Sequence, residues 1–367
     1  MKTVITTPGV HIEEDSSPAI SVSQGATAIP LFIAKFTPLD KNNDGVMLRI
    51  SSWLAFSQTF STTDVGAATA MQLYFQNGGG ACYVFALADS TDVDALAALP
   101  GLADEAGEIT LFVVPESDAD YRNTVYGALL ASLDQNKGYF LLADSSDGKV
   151  PSGLGSSAHI AVYYPPLSAI ASQKEDGSTV VAQIPASALM AGVYCKTDRE
   201  RGVWKAPANV VLNGVSDVSV RVSDDDQGGM NQAGVNVIRY FKERGLVVWG
   251  ARTLMDNDNW RYIPVRRLFD AAERDIKKAL RPMVFEPNNQ LTWKRVQAAI
   301  DHYLYSLWQQ GGLAGNKADE AYFVRIGKDI TMTTDDINQG KMIVQVGMAA
   351  VRPAEFIILQ FTQDMAQ

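Results

Sequence analysis

The chain has 367 residues, 47% hydrophobic and 20% charged, with a formal net charge of -10. That content supports two domains with cores of their own, which rules out a disordered chain, and no run approaches the ~20 apolar residues of a bilayer-spanning helix. Residues 50–121 hold ten carboxylates and no Lys or Arg, so the rest sums to zero, and residues 196–352 carry 23 basic against 19 acidic side chains. This gives either a solvated acidic face or an acidic pole opposite a mildly basic one, and no basic, aromatic-interleaved patch for nucleic acid.

At the start, Met1 to Pro8 lacks the apolar core of a signal peptide, so synthesis in the cytosol is expected. Val10-His11-Ile12-Glu13-Glu14 then alternates as a short strand, with Val10 and Ile12 on its apolar side. From about residue 21 to 195 the grammar is strand, helix, strand. Ala81 to Leu87 reads as a buried strand, Asp92 to Leu99 as a helix and Ile109 to Val114 as a strand. Tyr121, Val125, Leu129 and Leu133 fall at helical spacing, and strands follow at Tyr139 to Leu142 and His159 to Tyr164. This pattern predicts a largely parallel sheet covered by helices.

From about residue 196 to 352 longer amphipathic helices dominate. Val265, Leu268, Phe269, Ala272, Ile276 and Leu280 make one stripe, and Trp293, Val296, Ile300, Tyr303, Leu304 and Leu307 another that stops at Gly311-Gly312. Gly245 to Trp249 reads as a strand following a helix capped by Gly245, and Met342, Val344, Val346 and Met348 share one face of a further strand. The last residues, Phe356-Ile357-Ile358-Leu359, form an apolar strand that needs burial in this chain or in another copy.

No catalytic constellation assembles from these residues. Asp40 to Gly45 opens like a calcium loop, but its twelfth position is Ser51 rather than a bidentate Glu. Gly78-Gly79-Gly80 precedes a strand instead of following one, which speaks against a phosphate cradle. His11, His159 and His302 are isolated, Asp224-Asp225-Asp226 reads as a solvated Gly-rich turn, and Cys82 and Cys195 read as inert core thiols. No catalytic residue, cofactor or metal site is expected.

Several stretches, in order, carry a resemblance: Pro8-Gly9-Val10-His11-Ile12-Glu13-Glu14, Arg201-Gly202-Val203-Trp204-Lys205-Ala206-Pro207-Ala208-Asn209, Val235-Asn236-Val237-Ile238-Arg239, Val248-Trp249-Gly250-Ala251-Arg252-Thr253-Leu254, Trp260-Arg261-Tyr262-Ile263-Pro264-Val265-Arg266-Arg267, Val284-Phe285-Glu286-Pro287-Asn288 and Val351-Arg352-Pro353-Ala354-Glu355-Phe356. Together they resemble contractile tail sheath proteins, the family of phage tail sheaths, R-type pyocins and extracellular contractile injection systems. No motif is matched between about residues 39 and 189.

The resemblance implies an α/β plus α+β fold, a variable outer α/β domain (21–195) and an inner α+β domain (196–352), with N-terminal (1–20) and C-terminal (353–367) strand arms. It implies partners as well: further copies in hexameric rings stacked as a helical sheath, sheath paralogues, an inner tube protein, and baseplate and tail-terminator proteins. Neither nucleic acid nor membrane insertion is implied.

Val10, Ile12, Phe356, Ile357, Ile358 and Leu359 become the intersubunit arm strands. Arg239, Arg252, Arg261 and Arg266 stand where packing alone needs no guanidinium, so they are read either as intradomain ion pairs or as contacts across the lattice or to the tube. Lys328 and Lys341, beside Gly327 and Gly340 and flanking Asp335-Asp336, join them as tube contacts. The competing classes are a nucleotide- or flavin-dependent α/β enzyme, resting on strand-helix alternation alone, and another virion tail structural protein.

Overall fold

The computed structural model describes residues 21–133, 137–173 and 178–356. Its largest element is an eight-stranded sheet built from β1 (Pro30–Ala34), β2 (Leu48–Ile50), β3 (Cys82–Ala86), β4 (Leu111–Val113), β5 (Phe140–Asp144), β6 (Ile160–Tyr164), β7 (Val235–Phe241) and β8 (Gly245–Val248). The order across it is β8-β7-β6-β5-β4-β1-β3-β2. All pairings are parallel except those of the edge strands β2 and β8. Every residue of β1, β5 and β6 is buried, as expected of strands covered on both faces, and this is why they read as unbroken apolar runs.

The helices Trp53–Thr59, Val65–Gln76 and Ser187–Arg201 pack on one face, and Val93–Ala106 and Ala119–Leu133 on the other. Their starts are set by local chemistry. The Asp64 carboxylate accepts from the amides of Gly66 and Ala67, and the Asp92 carboxylate accepts from that of Ala95. The second of these helices runs on past Leu99, through Pro100, to a left-handed Gly107 at φ 67°.

Three expectations are corrected. The segment before Gly245 is strand β7, not a helix: Val235, Val237 and Ile238 are buried, and β7 pairs in parallel with β6 and antiparallel with β8. Gly245, at φ 78°, makes the hairpin turn between the two strands rather than a helix cap. Asp224 to Asp226 open the helix Asp224–Gln232, where the Ser223 hydroxyl accepts from the Asp226 amide and three carboxylates favour the positive helix end. The division at residue 195 falls inside the helix Ser187–Arg201, and β7 and β8, which come later in the chain, complete the sheet.

A separate core lies beyond the sheet. It joins the helices Ile263–Leu280 and Gln290–Gln309, the strands Tyr322–Arg325 and Gln345–Met348, and Val22 and Val203 from earlier in the chain. The whole second stripe faces it, as do Leu268, Ala272, Ile276 and Leu280 of the first and Met342, Val344, Val346 and Met348, while Phe269 of the first stripe packs against Trp260 instead. Among the described residues no helix is long and apolar enough to cross a membrane.

Candidate functional site

The two ends of the described chain leave this second core through polar roots. At the C-terminal root, Glu355 lies in a nest of donors that come from far away in sequence. Arg252 reaches it with Nη2 at 2.6 Å from Oε2 and Nε at 2.9 Å from Oε1. Asn231 Nδ2 donates to Oε1 at 2.8 Å and the Tyr262 hydroxyl to Oε2 at 3.2 Å. Burial alone would raise the Glu355 pKa, but the hydrogen bonds from Arg252 and Asn231, the Arg252 charge and the Tyr262 hydroxyl hold it below the usual carboxylate range.

The sheet sets the position of Arg252. Fully buried Asn236 on β7 accepts from the Arg252 amide at 2.7 Å and donates to its carbonyl at 2.8 Å. Gly250 is required beside it, because a Cβ there would come within 2.9 Å of Asn236. Between the root and the body lies a cavity of about 630 Å³, walled by Trp204, Trp249, Tyr262 and residues 351–356.

At the N-terminal root, Arg267 and Asp198 form a buried, two-pronged pair at 2.6 and 3.0 Å. Thr27 closes it: its hydroxyl donates to Asp198, and its carbonyl accepts from Arg267 Nη2 at 3.0 Å. The guanidinium also lies 4.6 Å from the centre of the Tyr194 ring. Burial by itself would lower the Arg267 pKa; the Asp198 charge outweighs it, so the guanidinium stays charged. About two turns along the same helix, Asp275 accepts from the Gly25 amide at 3.1 Å and the Tyr303 hydroxyl at 2.8 Å. Arg201 and Trp204 line the space beside both roots, so this segment, one of the resembling stretches, stands between the two chain exits.

The third feature is the antiparallel pair Tyr322–Arg325 and Gln345–Met348, a sheet of two strands among the described residues. Tyr322 and Val324 face the core, while Phe323 and Arg325 face outward, the guanidinium 4.7 Å from the centre of the Phe323 ring. The Phe323 ring lies across Gly347, where a Cβ would come within 2.2 Å of it. A two-stranded sheet leaves an outer edge of backbone donors and acceptors on each strand, a template for further pairing.

Each singled-out arginine finds a carboxylate in its own chain. Arg239 pairs with Asp224, Arg252 with Glu355, Arg261 with Asp256 at 3.0 Å, and Arg266 with Asp270 at 2.9 Å. Of the two lysines, Lys341 lies 3.8 Å from Asp336, and Lys328 is exposed in a tight loop bridged to Met332. Phe356 is exposed, whereas Val10, Ile12, Ile357, Ile358 and Leu359 lie outside the described residues. Asp198, Arg267, Asp275 and Asn231 were missed by the sequence reading. No local spacing marks them, since their partners are distant in the chain.

Doubly wound sheets take ligands outside the carboxyl ends of their strands, where the strand order reverses. Here that point lies between β1 and β4 and is filled by the chain itself. Glu116, 1% exposed, accepts from the Lys35 amide at 2.6 Å, and burial pushes its pKa up to about 7. Among the described residues no cluster of His, Cys, Asp and Glu could hold a metal ion.

The fold thus sets an eight-stranded sheet domain on a second core that anchors both exits of the described chain. The chain belongs to the phage tail sheath family. Residues 88–254 match the phage tail sheath protein central domain, and residues 255–364 match the phage tail sheath C-terminal domain. It is 66% identical to a chain of the contracted helical sheath of the anti-feeding prophage, covering 98% of this chain and 100% of that one with a TM-score of 0.90. To a chain of the contracted sheath complex of PVC, an extracellular contractile injection system, it is 44% identical, with 99% of each chain covered and a TM-score of 0.80.

The tail sheath protein of Vibrio phage KVP40 is 25% identical over 183 residues, which are 48% of this chain and 26% of that protein. The chain therefore spans about a quarter of that curated relative's length. The family and the structural neighbours are structural proteins, and this chain is not an enzyme.

Proposed function

We propose that this chain is the sheath subunit of an extracellular contractile injection system, polymerising around an inner tube and shortening to drive that tube through a target envelope. The observation that carries this reading is the 66% identity, over 98% of the chain, to a helical sheath solved in its contracted state. A match of equal identity to a chain of the anti-feeding prophage baseplate supports contact with a baseplate.

In this reading the arms beyond the two roots add strands, through Val10 and Ile12 at one end and Phe356 to Leu359 at the other, to the open edges of the two-stranded sheet in neighbouring copies. Hexameric rings, an inner tube, a tail terminator and sheath paralogues belong to the same proposal. So do an outward-facing acidic sheet domain and an inner surface formed by the second core. Lys328 and Lys341 serve the tube-facing side, where repetition around each ring multiplies weak, salt-sensitive contacts.

The test is removal of residues 357–367, which leaves Glu355 and its partners in place. The truncated chain should be folded and soluble yet form no cylinders under negative stain. Ordered cylinders from it would refute the linking role, and an unfolded product would show that the segment completes the chain's own core.

A further inference from the structure

The loop joining the helices Ile263–Leu280 and Gln290–Gln309 presents its largest apolar side chain to nothing among the described residues. Phe285 is 102% exposed, next to Val284 at 63%, and Leu291 at the start of the following helix is 59% exposed. Phe285 also sits at φ 74°, a left-handed conformation that a bulky side chain seldom adopts.

The loop around it is firmly held. Met283 is buried in the core, the Glu286 amide donates to the Met283 carbonyl at 3.1 Å, and Asn288 is fixed by the Lys341 carbonyl at 2.9 Å and the Trp293 indole at 2.7 Å. Strain of this kind, kept by a rigid frame and spent on exposing an aromatic ring, marks a surface made to be covered.

Charge selects what covers it. Arg281 and Lys294, exposed and without an ion pair among the described residues, flank the apolar cluster, and with the half-buried Glu286 beside Phe285 its rim is net basic. The complementary surface exists on the same chain. Val93, 73% exposed, stands between Asp92 and Asp94 and near Asp89 in sequence, and these three carboxylates are exposed and without an ion pair among the described residues. In a helical polymer of identical chains, unlike faces of neighbouring copies meet, and a basic-rimmed aromatic on one copy fits an acid-rimmed aliphatic on the next.

We propose that the loop carrying Val284 and Phe285 is a docking surface for a second copy of this chain, engaging its acidic face around Val93. The inference rests on the sheath reading and extends it to a copy-to-copy contact separate from the arms.

The test attaches a photoreactive benzophenone maleimide to Phe285→Cys, the native Cys82 and Cys195 being buried, and irradiates assembled particles. The expected product has twice the chain's mass, and its cross-linked peptide lies within residues 50–121. Cylinders that yield no product, a product with the inner tube protein, or a peptide from elsewhere on the chain would overturn this contact while leaving the sheath reading intact. Absence of cylinders from the unsubstituted chain would remove the ground of both.

Phe285→Gly gives an independent reading, because glycine keeps the loop conformation while removing the ring. It should raise the concentration for half-assembly at least tenfold without lowering the subunit's melting temperature, and unchanged assembly would overturn the proposal.

Discussion

Replacing Glu355 by Ala tests whether the C-terminal root is a clamp. The mutation leaves Arg252, whose side chain is only 12% exposed, without its carboxylate, and it frees Asn231 and Tyr262 at the same time. Breaking a partly buried, charge-assisted pair of this kind costs about 3 kcal/mol, or roughly a 150-fold shift in the local opening equilibrium. The root sits near a chain end, so the loss should appear as faster amide exchange over residues 349–356, with a smaller change in the global denaturation midpoint. Arg252→Ala should do the same, and the double mutant should fall short of the sum by about 1.5–2 kcal/mol.

Acidity should act like the mutation. A carboxylate whose pKa is depressed by folding contributes stability above its unfolded value and loses it as pH falls through the folded one, so the clamp should hold at neutral pH and open only as the pH falls below the usual carboxylate range. Unchanged exchange in Glu355→Ala, or strictly additive single mutants, would refute the clamp.

Other perturbations are as direct. Gly347→Val drives a side chain into the Phe323 ring and should cost about 2 kcal/mol in urea unfolding, with part of the loss recovered by adding Phe323→Ala. Glu116 has a raised pKa of about 7, so the native state holds a proton that the unfolded chain releases, and stability from this group is lost as pH rises from about 4.5 through 7. Glu116→Gln should therefore flatten the fall in melting temperature between pH 5.5 and 8, and an identical fall in mutant and parent would exclude the assignment. Arg267→Ala strands Asp198 in the interior and should cost about 3–5 kcal/mol by denaturant titration, whereas the pair Arg267→Met with Asp198→Leu should be close to neutral.

The parallel sheet was legible because β1, β5 and β6 are apolar on both faces, and a strand buried that way writes its location as an unbroken run. The helices Ile263–Leu280 and Gln290–Gln309 were legible from their stripes. β7 was not, because Arg239 and Tyr240 interrupt its apolar run near the open end of the sheet, and local pattern cannot tell that Val235 to Val237 lie beside β6, more than 70 residues earlier. The same distance hides that the sheet borrows its last strands, β7 and β8, from beyond the helix Ser187–Arg201. The roots were illegible residue by residue: Arg252 meets Glu355 across 103 positions and Arg267 meets Asp198 across 69, and nothing in either neighbourhood announces the partner. What sequence did supply was the surplus of arginine where packing did not ask for it, and each of those guanidinium groups has a partner within the chain.

Val22 and Val203 share one core with the helices Ile263–Leu280 and Gln290–Gln309, and the first six strands of the sheet, within residues 30–164, are threaded between the two valines. Tension applied at one chain exit therefore has a path to the other through the Asp198–Arg267 pair, the helix Ile263–Leu280, Tyr262 and Glu355, and the sheet joins that path at β7, where Asn236 holds Arg252. Loops of the sheet domain away from β7 lie outside that path and can change shape, gain residues or lose them while the cable they hang from stays intact, and that freedom makes them the natural place to graft a foreign sequence.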